Sequence, residues 1–331
     1  MISFVLGVED LADTRFAISP LHETVLSLRV LREPGRHALL LPWRRSVMGR
    51  LGGVDTRLLL ALVGASHALP DFLTPRPPVF APVFAEELAV VRSAPAALVR
   101  RDLAAAHAPD PLPEVLAAEG DRAVLAVRDA VCDVLAHYWR VALEPSWPRL
   151  RLVMEADTTY RARRLAVGGA RALFADMHPN LRWRDGVLHI GQMIGRHRVE
   201  ASGRGLLLMP SVFAHKPAPP VSPLEPPMLS YPCRAVATLW AAPPPVQASA
   251  LAALLGPARA RLLALLEEPL PTVELARRLA VTPSAVSQHL RVLRGAGLVT
   301  GVRDGRHVLY RRSPLGDGLA AAPPGQRDSS G

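Results

Sequence analysis

Cysteine is scarce in this 331-residue chain, which contains only Cys132 and Cys233. Two thiols are too few for a disulfide framework or for a structural zinc site built from cysteines. Long apolar runs are also missing: a stretch such as residues 58–65 falls well short of the roughly 20 residues that a membrane-spanning helix needs. The first residues lack a basic segment followed by an apolar one. We therefore expect no signal peptide, no membrane partner and a cytoplasmic location.

The motifs of several enzyme classes are missing too. The chain has no Gly-x-Ser-x-Gly nucleophile motif, no His-Glu-x-x-His zinc helix and no glycine-rich phosphate loop. Four histidines share one segment but lack the fixed spacing of metal ligands: His178, His189, His197 and His215. We therefore expect no catalytic residues, no bound metal and no cofactor.

Lysine is nearly absent as well, because Lys216 is the only one and arginine supplies the rest of the basic charge. The formal net charge is +10 at pH 7, and the sequence pI is about 10.9. Such a charge favours polyanionic partners. Residues 256–312 contain ten arginines against four acidic residues, a local charge of +6. This is the electrostatic footprint that DNA binding needs.

Residues 271–312, by contrast, are rich in local structural signals. Thr272 is the predicted N-cap of a first short helix, and Thr282 that of a second. Pro283 occupies the first position of the second helix, where the N–H that proline lacks is not needed. Signals for the end of that helix and for a β-hairpin follow: Gly295, Gly297 and the pair Asp304-Gly305.

The second predicted helix separates two kinds of side chain. At about 100° per residue, the apolar Val286, Leu290 and Leu293 fall on one side. The other side carries hydroxyls, an amide and arginines, with no acidic residue anywhere in 284–294. These are groups that donate to phosphates and to base edges. A solvated helix of a small bundle is the plainer interpretation, but the first helix, the turn and the hairpin together favour a winged helix-turn-helix.

A resemblance to a known family lies in two neighbouring stretches, TPSAVSQHLRVL at 282–293 and GAGLV at 295–299. They closely resemble the recognition helix of ArsR/SmtB-type transcriptional regulators and the residues after it. The resemblance covers roughly residues 254–312, under a fifth of the chain. It implies dimeric DNA binding, with this helix in the major groove and the hairpin as a wing. Metal-sensing members carry a Cys-x-Cys pair in the preceding helix, but here that segment is VELAR, so no metal sensing is expected there.

This pattern predicts which residues contact DNA. Four side chains of the second helix should contact base edges or phosphates: Ser284, Ser287, Gln288 and Arg291. Arg294 should contact the DNA backbone, and Thr282 belongs to the same surface. Three residues at the tip of the wing should contact phosphates or the minor groove: Arg303, Arg306 and His307. His289 falls near the apolar flank, so we expect partial burial instead of a base contact.

The whole chain is predicted to be α+β, with a large N-terminal α+β domain ahead of the winged helix. The first half looks mostly helical, and Gly168-Gly169 is a weak point in a helix predicted over 149–174. A small antiparallel sheet is expected from the strands at 187–190, 197–201, 205–209 and 228–230. The predicted boundaries are 1–242 for a regulatory and dimerisation domain, 243–248 for a proline-rich linker, 249–313 for the DNA-binding domain and 314–331 for a disordered tail.

The N-terminal region carries a resemblance of its own. Residues 15–24 and 205–213 resemble parts of an actinobacterial domain of unknown function that is found ahead of ArsR-type helix-turn-helix modules. The resemblance would cover roughly residues 1–240. It implies an architecture and no catalytic residue.

These patterns predict a cytoplasmic, homodimeric transcriptional repressor that binds double-stranded operator DNA through its C-terminal winged helix. The N-terminal domain is far larger than dimerisation requires, so we expect it to tune DNA binding and count an unidentified small-molecule effector among its partners. Two alternatives stay open. One is an enzyme whose N-terminal domain processes a small molecule and whose helix-turn-helix is autoregulatory. The other is a protein-interaction module in which the winged helix docks protein.

Overall fold

The structure, a computed structural model, describes residues 1–64, 66–193, 195–240, 248–304 and 307–320. The chain divides into two compact units, Met1–Ala241 and Ala242–Gly331. Helices and mixed sheets occur together, so the predicted α+β class is confirmed. Within the described ranges, every helix is too short or too polar to cross a membrane.

The N-terminal unit is mainly helical. Its helices are α1 (Val8–Ala12), α2 (Pro20–Arg32), α3 (Leu41–Met48), α4 (Thr56–Ala61), α5 (Phe84–Arg92), α6 (Ala96–His107), α7 (Gly120–Tyr138), α8 (Trp147–Ala175) and α9 (Val236–Leu239). A π-helical turn, Trp139–Leu143, extends α7. The predicted weak point in α8 is a kink: Gly168 and Gly169 leave helical geometry, and Gly169 has φ 63°.

Two sheets complete this unit, and they correct the predicted single antiparallel sheet. The first has the order β3-β4-β1-β5, with the strands β1 (Ile2–Val5), β3 (Leu181–Arg184), β4 (Val187–Ile190) and β5 (His197–Glu200). The second is parallel, in the order β2-β6-β7, with β2 (Arg15–Phe16), β6 (Leu207–Ser211) and β7 (Met228–Pro232). The prediction was wrong because strands from the chain's N-terminus enter both sheets, and single-strand patterns do not show such partners.

Helix α2 lies at the centre of the larger of this unit's hydrophobic clusters. Residues are buried on all of its sides, including the fully buried Leu21, Val25 and Leu28. A helix that is buried all round must also find partners for its polar side chains. A second cluster packs the first sheet against the C-terminal part of α8.

Buried carboxyl groups provide such partners for backbone amides. The Glu87 carboxylate accepts a hydrogen bond of 3.1 Å from the backbone N–H of Leu21, in the first turn of α2. Glu23, on α2 itself, accepts one of 2.9 Å from the N–H of Val212. Burial raises the pKa of each of these two glutamates to about 7. Both side chains therefore accept hydrogen bonds from backbone N–H groups, although their buried environment destabilises the charged carboxylate.

The C-terminal unit contains α10 (Ala248–Leu255), α11 (Pro257–Leu265), α12 (Thr272–Leu279), α13 (Pro283–Gly295) and α14 (Pro314–Ala320). Its antiparallel sheet has the order β8-β10-β9, from β8 (Leu270–Pro271), β10 (His307–Arg312) and β9 (Val299–Asp304). One hydrophobic cluster joins α11, α12, α13 and the start of β9, and includes Leu263, Leu275, Leu290 and Val299. This unit thus has its own core.

Helix α14 corrects the predicted disordered tail, because residues 314–320 of that segment are helical. The Ser313 hydroxyl donates to the carbonyl of Gly297 at 2.6 Å and accepts from the N–H of Gly316 at 3.1 Å. A Cβ on Gly316 would lie 2.0 Å from the carbonyl oxygen of Leu298, so only glycine permits this close packing. Residues 321–331, and 243–247 of the predicted linker, lie outside the described ranges.

The raised pKa of Glu23 predicts a pH dependence of stability. A carboxyl whose pKa is higher in the folded state contributes stability below its unfolded pKa, near 4.5, and this contribution is lost as the pH rises through about 7. Glu23→Gln removes the titration. Between pH 4.5 and pH 8, the free energy of unfolding of this variant, measured in urea, should therefore fall by about 1–3 kcal/mol less than that of the wild type. The exposed Glu86→Gln is the control, and equal pH slopes for all three proteins would contradict the assignment.

Candidate nucleic-acid interface

Helix α13 is defined at its N-terminus by the predicted cap. The Thr282 hydroxyl accepts a hydrogen bond of 3.3 Å from the N–H of Ala285, and Pro283 occupies the first helical position. The prediction for the preceding helix is wrong by one residue. Pro271 precedes α12, and Thr272 is its first residue and makes no side-chain cap.

The C-terminus of α13 ends in a Schellman motif. Gly297 has φ +71°, its N–H donates to the carbonyl of Arg294 at 3.0 Å, and the N–H of Leu298 donates to the carbonyl of Leu293 at 2.9 Å. Leu293 and Leu298 are both buried, which is the apolar contact that usually accompanies this motif. Both ends of α13 are therefore fixed by its own sequence.

The turn from α12 to α13 is held in one conformation. Ala280 adopts the left-handed region, with φ 53° and ψ 44°, and the N–H of Val281 donates to the carbonyl of Ala276 at 3.1 Å. Leu275 and Ala276 are buried on the side of α12 that faces the core. The two helices and their turn thus form a helix-turn-helix.

The two sides of α13 differ as predicted. Val286, Leu290 and Leu293 are at most 1% exposed and pack into the core of the C-terminal unit. The predicted contact residues on the opposite side are all exposed: Ser284, Ser287, Gln288, Arg291 and Arg294. His289, at the flank, is partly buried. Because one side is held in the core, the polar side faces solvent in a fixed orientation.

The arginines of the two helices differ in their ion pairing, and this difference was not predicted from the sequence. In α12, Arg277 and Arg278 both contact the Glu274 carboxylate at 2.7 Å. Their hydrogen bonds hold the pKa of Glu274 at about 2. In α13, Arg291 and Arg294 have no acidic partner among the residues that the structure describes. One of the two positive charges of α12 is therefore offset, whereas neither of the two on α13 is. The spacing of Glu274 from its two arginines could have indicated this.

Strands β9 and β10 pair as the predicted wing. Asp304 pairs with His307 as a residue of β9, so Asp304 is not part of the two-residue turn that was predicted. Arg303 is exposed on β9. The predicted contact residue Arg306 lies outside the described ranges, as does the side chain of His307.

A further exposed arginine, Arg311 on β10, pairs across the hairpin with Thr300 and was not predicted as a contact. Its neighbour Arg312 is held by Asp317 of α14 at 2.9 Å and is mostly buried. Arg311 is therefore the more available of the two for a phosphate. Its position on the second strand of the hairpin could have identified it as a candidate phosphate contact.

A buried serine–histidine contact in the N-terminal unit resembles enzyme chemistry. The Ser230 hydroxyl forms a short hydrogen bond with Nε2 of His22. Ser230 is 0% exposed, so a substrate cannot reach its hydroxyl, and burial lowers the pKa of His22 to about 3. Within the described ranges there is also no group of three or more His, Cys, Asp or Glu that could hold a metal ion. The pair ties α2 to β7 within the core.

Comparison with known proteins places the C-terminal elements in a defined class. The family described as helix-turn-helix domain matches residues 254–302. The HTH-type transcriptional regulator NmtR of Mycobacterium tuberculosis is 48% identical over 64 residues, which are 19% of this chain and 53% of that protein. The HTH-type transcriptional repressor SmtB of the same species is 45% identical over 76 residues, 21% of this chain and 56% of that protein.

A solved structure, that of a mutant of Lactococcus lactis ZitR, is 27% identical and covers 19% of this chain and 46% of that one, with a TM-score of 0.19. The chain spans about half the length of the curated relatives it matches. These similarities support an ArsR/SmtB-type helix-turn-helix domain in the C-terminal region. Each of the two matched segments covers about a fifth of the chain.

The cap of α13 can be tested directly. Thr282→Ala removes the acceptor for the N–H of Ala285 and should destabilise the C-terminal unit by about 1 kcal/mol. Thr282→Ser keeps the acceptor and is the matched control. Urea unfolding of the full-length protein, followed by a probe in the C-terminal unit, measures the difference. Equal stability of the alanine and serine variants would show that the hydroxyl does not cap the helix.

Proposed function

We propose that this protein is a DNA-binding transcriptional regulator whose helix α13 enters the major groove of operator DNA. The observation that carries the proposal is the exposed side of α13, which combines hydroxyls, an amide and two arginines without an ion-pair partner in the described ranges. An ordinary solvated helix usually carries acidic residues there as well. An uncompensated cationic surface on a fixed helix is suited to a polyanion with a regular groove.

The proposed roles of the side chains follow from their chemistry. Gln288, near the middle of the exposed arc, can form two hydrogen bonds with one base, typically adenine, and Arg291 can do so with guanine. Ser284 and Ser287 can donate to bases or phosphates. The remaining proposed contacts go to the DNA backbone and add affinity without sequence preference: Thr282, Arg294, Arg303, Arg306, His307 and Arg311.

We further propose that the protein acts as a repressor and that the N-terminal unit tunes its affinity for the operator. The name of the SmtB relative includes the word repressor, which supports the first point for the matched domain alone. The size of the N-terminal unit and its separate hydrophobic clusters support the second. A cytoplasmic location is consistent with both proposals.

Base contacts and backbone contacts should respond differently to mutation. Gln288→Ala should cost about 1–3 kcal/mol on an operator and little on random DNA, because the lost hydrogen bonds are base-specific. Arg303→Ala should weaken binding to both DNAs alike and reduce the slope of log affinity against log salt by about 1. Affinities are measured by fluorescence anisotropy on both DNAs at two salt concentrations. The operator is one selected from a random-sequence pool.

The control for both variants is Arg57→Ala, which removes an exposed arginine of the N-terminal unit. It should leave both affinities unchanged. If Gln288→Ala retains full affinity and full discrimination between the two DNAs, then α13 is not the element that recognises sequence.

Assembly gives a separate prediction. One recognition helix contacts only a few base pairs, so we propose a symmetric dimer on a pseudo-palindrome with half-sites about 10 base pairs apart, or a multiple of this. We propose α10 and α11 as the dimer surface, where Leu254 is 71% exposed. Leu254→Arg should then dissociate the dimer in sedimentation experiments. Leu315→Arg, at a similarly exposed leucine of α14, should not. A wild-type protein that stays monomeric on its operator would exclude this assembly.

A further inference from the structure

The N-terminal unit contains a cavity of about 220 Å³ beside the C-terminal half of α2. Its walls come from α2, the segment around His67, the segment before β5 and the chain after β6. Most of the lining is apolar: Ile2, Ala68, Ala105, Ala108, Met193 and the prolines Pro217, Pro219 and Pro220. Typical pockets for drug-sized ligands measure roughly 300–1,000 Å³, so this cavity suits a smaller molecule.

Two cations line the cavity, Arg29 of α2 and Lys216. Neither has an ion-pair partner within the described ranges, and Nε of Arg29 is buried without a hydrogen-bond partner there. Lys216 donates only to the backbone carbonyl of Gln192, at 3.3 Å. Ala65 and Ile194, the undescribed residues adjacent in sequence to the lining residues Ser66 and Met193, have no charged side chains.

The other titratable groups nearby do not neutralise these cations. Glu33 is shared between Arg36, at 2.5 Å, and His67, at 2.8 Å. His37 and His215 face each other with ring centroids 5.0 Å apart. Burial lowers the pKa of both to about 4, so they are neutral at pH 7 and offer hydrogen bonds without charge. Burial lowers the pKa of Arg29 only to about 10, so its guanidinium stays charged. At neutral pH the cavity therefore holds uncompensated positive charge.

An arginine in this position has an energetic cost that an anion would remove. A partly desolvated charge without a counter-charge destabilises the folded state, and an arginine–carboxylate pair restores the lost interactions with charge-assisted hydrogen bonds. The apolar walls exclude a strongly hydrated inorganic ion but accommodate a short hydrocarbon body. The combination fits a molecule with one anionic end and one apolar end.

We propose that this cavity binds a small organic acid, with its carboxylate between Arg29 and Lys216 and its apolar body against the alanine and proline walls. The role of this acid as an effector rests on the proposed function, because an effector must change operator binding. The binding of the acid to the cavity does not depend on the proposed function.

The test uses benzoate as the organic acid, with benzamide as its neutral isostere and inorganic phosphate as a purely inorganic anion. Each is titrated into the full-length protein at constant ionic strength, in the absence of DNA, and followed by calorimetry and by the midpoint of thermal unfolding. Benzoate should bind saturably and raise the midpoint, at least tenfold more tightly than benzamide or phosphate. Phosphate binding without benzoate binding would overturn the organic-acid class, and the absence of binding by both anions would overturn the site.

Substitutions locate the site. Arg29→Met and Lys216→Met should each weaken benzoate binding at least tenfold, while Arg57→Met, at an exposed arginine of α4, should leave it unchanged. Two positions are used because Arg29→Met, within α2, could fold poorly. Lys216 lies near the surface, so Lys216→Met keeps the test valid in that case. Benzoate affinity that survives both substitutions would overturn the assignment.

The regulatory role is measured separately, as the change in operator affinity at saturating benzoate. A change of at least threefold that is lost in Lys216→Met supports the role of effector. An unchanged operator affinity overturns that role but leaves the site intact. A protein that binds benzoate and no DNA contradicts the proposed function and not the cavity.

Discussion

The packing of Val286, Leu290 and Leu293 into the core of the C-terminal unit decides which side of α13 faces solvent. The cap at Thr282 and the left-handed Gly297 fix the length of the helix, so this packing fixes its rotation too. The serines, the glutamine and the arginines then project outward as one set. In α12, by contrast, Glu274 contacts both arginines and offsets one of their two charges, which leaves α13 as the more cationic helix of the motif.

The N-terminal unit depends on a related constraint. Helix α2 is buried on all sides, so each of its polar groups needs a partner inside the protein. Glu23 finds one in the backbone of Val212 and His22 in the hydroxyl of Ser230. Arg29 finds none among the described residues and faces a cavity instead.

Local signals in the sequence predicted the ends and the two sides of α13, whereas the contacts between distant segments could not be predicted. The cap at Thr282, the end of α13, its two sides and the kink at Gly168-Gly169 depend on neighbouring residues, so they could be predicted. The sheets of the N-terminal unit could not, because β1, at the start of the chain, pairs with β4 and β5 near the end of the unit. Helix α14 also escaped prediction, since it depends on the close approach of Gly316 to Leu298.

The most direct test of the central claim is chemical protection of DNA by the full-length protein. Dimethyl sulfate methylates guanine at N7 in the major groove and adenine at N3 in the minor groove, so it distinguishes the two. On a fragment selected from random-sequence DNA, insertion of α13 predicts strong protection of guanine N7 within the bound site, and loss of part of this protection in the Arg291→Ala protein. Unchanged reactivity at every guanine N7, or protection confined to adenine N3, would contradict the account.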